Sequence, residues 1–329
     1  MIRILYRKEH GKVDTNLQVD ALDQALKDPT GLLWIDMAFE PFDTVEPILA
    51  STFGFHPLAI DDALHENHVP KVDDWEEYLY IVLRAVNHTK AESDQLQVPE
   101  LDVFLGPNFV VSYYQEPIAV VDKVWEICQE DQRWIKQGSG HLLYRLADEL
   151  VSEAVTVVEQ LQDELEQIED QLFTEAGSAT LGRLSTLKRN ILQLRRIVIP
   201  QRDVLNKLAR NEYLTVKDVD RIFFRDVYDH LLHLDDLLDD MLILVGGALD
   251  TYLSVVNNRM NDIMKTLTVI TALFMPLAFI TGFFGMNFFQ ARIAQFKIWT
   301  SILAFAVVLV IMILIPLFMF WWMKRRSWI

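Results

Sequence analysis

Cysteine is nearly absent from this chain, because Cys128 is the only one among 329 residues. A single cysteine excludes an intrachain disulfide and a thiolate metal cluster. Basic residues are also scarce: 30 Lys and Arg stand against 47 Asp and Glu, which gives a net charge of −17. That balance argues against nucleic-acid binding, which needs a basic footprint. It suits a partner of opposite sign, of which a dissolved metal cation is the simplest, although acidic surfaces also serve solubility alone.

The chain also lacks the signatures of catalysis and of export. It has no nucleophile–base motif and no glycine-rich phosphate-binding loop, so we do not expect an enzyme. The first eight residues are too few, and become charged too soon, to form a signal peptide. The N-terminal part is therefore expected to stay in the cytoplasm.

Two long segments near the C-terminus, 266–291 and 298–323, contain no charged residue. Each exceeds the roughly 20 apolar residues needed to cross a bilayer. The connection between them, about residues 285–297, is too short for a folded domain, so the pair is predicted to form a membrane hairpin. Basic residues flank the hairpin on what would be one side: Arg259, Lys265, Lys324, Arg325 and Arg326. By the positive-inside tendency both termini should be cytoplasmic, in an integral protein of the plasma (inner) membrane.

Residues 1–135 mix strand and helix signals and predict a cytoplasmic α/β domain. The last two strands should be joined by Gly106-Pro107-Asn108, a hairpin signal. Because the later strands are too close for crossover helices, the sheet should be mixed. Strands are expected at 31–36, 78–83, 98–105 and 109–114, and helices at 43–53 and 57–65.

Helical patterns dominate the rest of the chain. Residues 136–215 predict long antiparallel helices, at 142–173 and 181–209. Residues 216–287 contain no proline except Pro276 and predict a stalk helix of order 100 Å that continues into the first span at about 266–286. An outer loop (288–297), a second span (298–323) and a basic cytoplasmic tail (324–329) follow. The predicted class is an α+β membrane protein with an N-terminal mixed α/β domain, a long helical stalk and two C-terminal transmembrane helices.

A polar stripe runs along the stalk and the first span when their residues are grouped by heptad position. One heptad position holds Asp250, Asn257, Met264, Thr271 and Ala278, and the alternating one holds Ser254, Asn261, Thr268, Met275 and Gly282. These two positions form the inward seam of a helical bundle and in a soluble coiled coil would be Leu, Ile or Val. Their polar and small residues indicate a water-filled axis. The alternative is that Thr, Gly and Ala simply allow close helix packing.

A water-filled axis requires several copies of the chain, because two spans cannot enclose a water path. In such an oligomer the Asp250 carboxylates would form a ring around the symmetry axis. Met264 and Met275 would be apolar constrictions that seal the pore by dewetting when the helices approach.

Residues 250–288, "DTYLSVVNNRMNDIMKTLTVITALFMPLAFITGFFGMNF", resemble the pore helix and signature of the CorA family of magnesium transporters. The segments "HPLAIDDAL", "PKVDDWEEYLYIVLR", "FFRDVYDH" and "KRRSWI" are similar to family segments in the same order. The resemblance covers nearly the whole chain. It implies a homopentamer with a funnel-shaped cytoplasmic domain, carrying divalent cations: Mg²⁺ first, with Co²⁺ or Ni²⁺ as adventitious substrates.

The resemblance also assigns roles to residues. In the signature Gly285-Met286-Asn287, the Asn287 side chains and the Gly285 carbonyls would hold a hydrated cation, which suits Mg²⁺ because this ion dehydrates reluctantly. Asn261 matches an inner polar ring, Met264 and Leu267 match a hydrophobic gate, and Asp250 matches a cytoplasmic acidic ring. Asp226 matches a carboxylate at the subunit interface that binds regulatory Mg²⁺ and closes the channel.

One departure from the family pattern keeps two alternatives open. The outer loop carries Arg292 and Lys297 and no acidic residue, which should slow cation capture. One alternative is a Zn²⁺ transporter of the same superfamily, with or without proton coupling. The other is a membrane protein that senses ions or binds a partner without conducting. A transition-metal site at His65-Glu66-Asn67-His68, with Asp61 and Asp62 upstream, is a weaker hypothesis.

Overall fold

The computed structural model describes residues 1–8, 13–15, 17–65, 68–87, 96–131, 133–174, 177–210, 213–286 and 302–326. The chain divides into two compact units, Met1–Leu249 and Asp250–Ile329. The strands are β1 (Ile2–Arg7), β2 (Val13–Asp14), β3 (Leu32–Ala38), β4 (Lys71–Asp74), β5 (Leu79–Arg84), β6 (Glu100–Leu105) and β7 (Phe109–Tyr114). The helices are α1 (Leu22–Leu26), α2 (Phe42–Pro47), α3 (Pro57–His65), α4 (Ala119–Glu130), α5 (Ser139–Thr174), α6 (Ser178–Arg210), α7 (Asp218–Gly285) and α8 (Ile302–Arg325).

The first unit is built on one seven-stranded sheet in the order β2-β1-β3-β7-β6-β5-β4. The pair β3–β7 is parallel and all other pairs are antiparallel, so the predicted mixed sheet is confirmed. Helices α1 to α3 cover one face with a core that includes Leu22, Leu49 and Ile60. Helices α5 and α6 contact the strands, and α4 packs on α5 beside the ring contact of Trp34 with Trp125. The sheet is therefore buried on both faces, which explains its nearly continuous apolar strands.

The long helices pair through apolar residues at three- and four-residue spacing. In α7 a seam of buried residues follows a strict seven-residue repeat: Phe224, Val227, Leu231, Leu234, Leu238, Met241, Val245 and Ala248. A repeat of this kind keeps one side of a helix against its neighbours. In the first unit α7 is thus packed along a single stripe, and its other sides are open.

In the second unit, α7 and α8 each carry a segment apolar and long enough to cross a membrane. α8 ends with Lys324 and Arg325. Half-buried residues recur at helical spacing on both helices. They include Val308, Met312, Ile315 and Met319 on α8, and Val269, Leu273, Pro276 and Ile280 on α7. These two stripes mark the sides on which the helices are partly covered.

Most predicted elements match, with bounds moved by a few residues. The helices expected at 142–173, 181–209 and 216–284 are α5, α6 and α7, and the predicted hairpin is β6–β7. The helix expected at 43–53 is correct only in its first half, because α2 ends at Pro47 and a wider π-type turn, Ile48–Thr52, follows. Proline has no N–H to donate, which favours an irregular turn here. Strands β1, β2 and β4 and helices α1 and α4 were not predicted.

A buried ion pair joins β1 to β3 in the centre of the first unit. Asp36 is fully buried and accepts hydrogen bonds from Arg3 at 2.7 Å, from Ser112 at 2.5 Å and from Tyr114 at 3.2 Å. Burial raises the pKa of Asp36, and these donors oppose that rise. The guanidinium of Arg3 also lies 4.6 Å from the ring of Trp125. The network ties three strands and α4 together.

Asp36→Ala should destabilise the protein by about 3–5 kcal/mol, because it leaves Arg3 without its buried partner. The measurement is the free energy of unfolding of the detergent-solubilised protein in urea, followed by tryptophan fluorescence. Glu46→Ala, at an exposed position of α2, is the control and should change stability by less than about 0.5 kcal/mol. Equal effects of the two substitutions would contradict this account of the network.

Candidate functional site

The polar stripe predicted on α7 lies on a side that the second unit leaves exposed. Asp250, Asn257, Asn261, Met264, Leu267, Thr271 and Met275 are all exposed. At 100° per residue, the stripe and the half-buried positions Leu273, Pro276 and Ile280 fall on roughly opposite sides of the helix. The partly covered side at Leu273, Pro276 and Ile280 therefore leaves the stripe available to face another surface or water.

The threonines in this segment satisfy their own donors. Thr268 donates to the carbonyl of Met264 at 2.7 Å, and Thr271 donates to that of Leu267 at 2.8 Å. Such bonds let threonine sit in an apolar helix at little cost. The hydroxyls then offer only oxygen lone pairs outward, which a hydrated cation can use through its waters. The amides of Asn257 and Asn261 are the stronger polar groups of the stripe.

The predicted signature straddles the end of α7. Gly285 is the last residue of the helix, and Met286, which is 55 % exposed, follows with its N–H directed to the carbonyl of Phe283 at 3.4 Å. Asn287 and the outer loop with Arg292 and Lys297 lie outside the described residues. The role of the signature stays a prediction.

Asp226 lies on an exposed side of α7, opposite an acidic residue that the sequence reading missed. Burial raises the pKa of Asp148 on α5, and the nearby charges of Glu149 and, to a smaller extent, Asp226 add to that rise. Arg145 opposes the rise and contacts Asp148 at 3.1 Å. Asp148 lies in an acid-rich helix, and only its position across from α7 distinguishes it. Within the described part of one chain no group of three or more His, Cys, Asp or Glu side chains could hold a metal ion.

Arginines on α6 neutralise part of the acidic run of α7. Arg202 contacts Asp235 at 2.7 Å, and Arg195 contacts Asp239 at 2.8 Å. The other four acids of this stretch are exposed, and among the described residues none of them has such an ion pair: Asp226, Asp229, Asp236 and Asp240. The acidic run of α7 therefore divides into aspartates that form ion pairs with α6 and aspartates that form none among the described residues.

The unpaired acids and the polar stripe occupy the same two heptad positions. Counting in sevens from Asp250 leads back to Asp236 and Asp229, and counting from Asn261 leads back to Asp240 and Asp226. Asp235 and Asp239 occupy other positions. From the N-terminal end, these two positions carry mainly carboxylates up to Asp250, with His233, Ile243 and Gly247 among them, then the amides of Asn257 and Asn261, and then methionine, threonine, alanine and glycine. This order concentrates negative charge on the open side of α7, where it would attract cations.

The histidine motif near α3 shows no metal cage. His65 contacts Asp61 at 3.1 Å at an exposed helix end, and Asp62 is already paired with Lys71 at 2.5 Å. Glu66 and Asn67 lie outside the described residues. The described geometry gives no support to a transition-metal site at this position.

Comparison with known proteins agrees with these features. A family model described as CorA-like Mg²⁺ transporter protein matches residues 29–325. The chain is 33 % identical over 304 residues to the cobalt/magnesium transport protein CorA of Thermotoga maritima, which covers 92 % of this chain and 85 % of that protein. It is 26 % identical over 316 residues to the zinc transport protein ZntB of Yersinia pseudotuberculosis, with 96 % and 92 % covered.

The fold has a solved counterpart. The complete structure of the CorA magnesium transporter from Methanocaldococcus jannaschii matches with a TM-score of 0.82 and 23 % identity, covering 99 % of this chain and 98 % of that one. A likeness at this identity speaks for the fold alone.

The two sides of α7 should differ in their access to water. In a Cys128→Ser background, Thr271→Cys should react with a charged, water-soluble thiol reagent faster than Leu273→Cys, because a thiol in apolar surroundings stays protonated and unreactive. Cys128 is the sole cysteine and is buried, so this background contains no other thiol that could react. The measurement is the modification rate by mass spectrometry in membranes. Equal rates at these two neighbouring depths would contradict a wet stripe.

Proposed function

The chain belongs to the CorA family of divalent-cation transporters, and we propose that the ion it carries is chiefly Mg²⁺, with Co²⁺ and Ni²⁺ as adventitious substrates. The conducting unit is a homopentamer in the plasma (inner) membrane with both termini in the cytoplasm. Five α7 helices line the pore, and the cytoplasmic domains form a funnel. The observation that carries the proposal is the exposure of the two stripe positions of α7 from Asp226 to Met275, while the opposite positions are buried from Phe224 to Ala248 and half-buried from Val269 to Ile280.

The pore acts on a hydrated ion in three stages. At the outer mouth, Asn287 oxygens with the carbonyl of Gly285 and the neighbouring Met286 bind the water shell, because Mg²⁺ keeps its waters. Met264, Leu267 and Met275 form apolar constrictions that close by dewetting. Thr271 lines the wet path between the constrictions, and the amides of Asn257 and Asn261, followed by the carboxylates of Asp250, form polar rings on their cytoplasmic side.

Cytoplasmic Mg²⁺ regulates this pore through Asp226. The described part of one chain supplies no complete cage, so the ion binds where Asp226, supported by Asp148, meets a neighbouring subunit. Unpaired carboxylates repel across such a contact, and divalent ions between them favour a tight closed ring. Loss of the ions lets the subunits separate and the pore hydrate.

Two alternative functions follow from particular observations. The similarity to ZntB supports Zn²⁺ as the carried ion, with proton coupling as one form of that mechanism. The bases Arg292 and Lys297 in the outer loop support a non-conducting ion sensor, because a positive rim repels cations. Vesicles containing the purified protein and loaded with Mg²⁺- or Zn²⁺-sensitive dyes distinguish the three functions. A dye signal for one ion identifies the ion that is carried. A requirement for a pH gradient indicates proton coupling. If neither dye responds while the oligomer is intact, the sensor is favoured.

Asn287→Ala should abolish selective Mg²⁺ uptake in this assay, because it removes the side-chain oxygens that bind the hydrated ion. Asn258→Ala is the matched control: it makes the same change on α7, and Asn258 lies outside the polar register. Its uptake should equal that of the unmodified protein. Full uptake by Asn287→Ala would remove the signature from the mechanism.

Asp226→Asn should weaken the protection that Mg²⁺ gives the cytoplasmic domain against protease, because one carboxylate of each regulatory site is lost. The readout is the digestion pattern of the full-length protein with Mg²⁺ and with EDTA. Asp163→Asn, an exposed acid on α5, should leave the difference between the two conditions unchanged. A pattern that is the same with and without Mg²⁺ in the unmodified protein would refute regulation by this route.

A further inference from the structure

A cavity in the first unit is lined by none of the residues proposed for transport. It has a volume of about 750 Å³ and is lined by residues of β5, β6 and β7, by the end of α3 and by the first residue of α2. Pockets that bind small molecules have volumes of about 300–1,000 Å³ and combine apolar walls with a few polar groups. Phe42, Leu64 and Pro99 supply apolar wall here, and the exposed residues Gln115 and Glu116 lie at the opening.

Two neighbouring carboxyl groups of β6 form the polar part of this lining. Asp102 is 3 % exposed, and Tyr80 Oη donates a hydrogen bond to its Oδ1 at 2.6 Å. Among the described residues its Oδ2 has no hydrogen-bond partner. Glu100 Oε2 accepts hydrogen bonds from the guanidinium of Arg84 and from the N–H of His68, whereas its Oε1 is buried and accepts none there. Because residues two apart on a strand point to the same face, both unpartnered oxygens belong to one side of the sheet.

The guanidinium of Arg84 is already engaged with other partners. It donates to the carbonyl of His68 at 2.6 Å, to the carbonyl of Val98 at 3.0 Å and to Glu100 at 2.6 Å. The charge of Glu100 offsets its charge. Asp102 and the exposed Glu116 then leave the described lining with more carboxyl groups than cationic groups, which favours a positively charged ligand.

Burial sets the protonation of Asp102. Burial, and after it the charge of Glu100, raises the pKa of Asp102 well above its usual value, and the hydrogen bond from Tyr80 and the charges of Arg84 and Lys71 oppose that rise. A cation placed against Oδ2 would favour the ionised carboxylate and displace its proton. The titratable and charged groups that face Asp102 from the elements around it are Tyr80 and Arg84 of β5, Glu100 of β6, Tyr113 of β7, Lys71 of β4, and Asp62 and His65 of α3.

A ligand for these oxygens must donate hydrogen bonds to two carboxyl groups and also contact apolar wall. An ammonium group on an organic body does both, because it has three N–H donors and no acceptor. Phe42, whose ring lies 5.0 Å from that of His65, offers an aromatic face to such a cation. A metal ion fits less well, because the described residues include no group of three or more His, Cys, Asp or Glu side chains that could hold one.

We propose that this cavity binds a small organic cation, an aliphatic primary amine whose ammonium group donates hydrogen bonds to Asp102 and Glu100. Its carbon chain lies along the apolar wall of Leu64 and Pro99. Glu116 provides a further carboxylate at the opening, so a diamine should bind more tightly than a monoamine of the same length. The site is independent of which ion the protein transports.

The test is isothermal titration of the full-length protein in detergent with putrescine, in excess Mg²⁺ that competes for the exposed acids of α7. The uncharged analogue 1,4-butanediol should give no measurable binding, and n-butylamine should bind more weakly than putrescine. Asp102→Asn, which keeps the side-chain shape and the acceptor for Tyr80, should weaken putrescine binding by about 10–100-fold, because a charged hydrogen-bond acceptor is lost. Glu126→Gln, at an exposed position of α4, is the control and should bind like the unmodified protein.

Two further measurements distinguish this cavity from an acidic surface. Putrescine affinity should rise from about pH 6 to about pH 8, because the ammonium group favours the ionised form of Asp102, and this rise should be smaller in Asp102→Asn. Phe42→Ala, which leaves the buried groups in place, should weaken binding by about 2–5-fold through loss of the aromatic face. Circular dichroism confirms that each variant is folded. Unchanged putrescine affinity in folded Asp102→Asn would overturn the proposal, as would the absence of saturable binding to the unmodified protein.

Discussion

The structure depends on α7, whose packing contacts and polar residues lie on different sides of the helix. The seam from Phe224 to Ala248 packs α7 in the first unit, and Leu273, Pro276 and Ile280 fall in the same heptad register within the second unit. That register provides the contacts, whereas the register that begins at Asp226 is exposed along the described length of α7. Polar residues are expensive in a membrane helix unless they face water or a partner. The functional interpretation therefore rests on the polar residues of this exposed side.

The aspartates of α7 follow the same separation between a contacting side and an exposed side. The arginines of α6 reach Asp235 and Asp239, which lie off the open register, and leave the acids on that register unpaired. These unpaired acids leave a negative potential on the exposed side of α7, which attracts cations. In the proposed ring of identical subunits the unpaired carboxylates would repel one another, so assembly would be sensitive to divalent ions between them. On that proposal, attraction of the substrate and regulation by it would have the same origin.

Sequence reasoning recovered the features that periodicity encodes, and it missed those that depend on distant partners. The long helices and the apolar spans follow from repeats within a few residues, and so does the polar stripe. Strand β1 was missed because Arg3 interrupts its apolar pattern, and that arginine makes sense only with Asp36, 33 residues away. Asp148 carried no signal of its own, because its importance lies in facing Asp226 across α5 and α7. The aspartate partners of Arg195 and Arg202 on α6 likewise became evident only in the fold.

The chemistry of the stripe bears on which ion fits it. From Asp250 to Gly282 the two heptad positions contain carboxylate, amide, hydroxyl and thioether groups, with no imidazole and no thiolate. Zn²⁺ is usually held by nitrogen and sulfur ligands after losing most of its water. Neutral oxygens that bond to a retained water shell suit Mg²⁺ better.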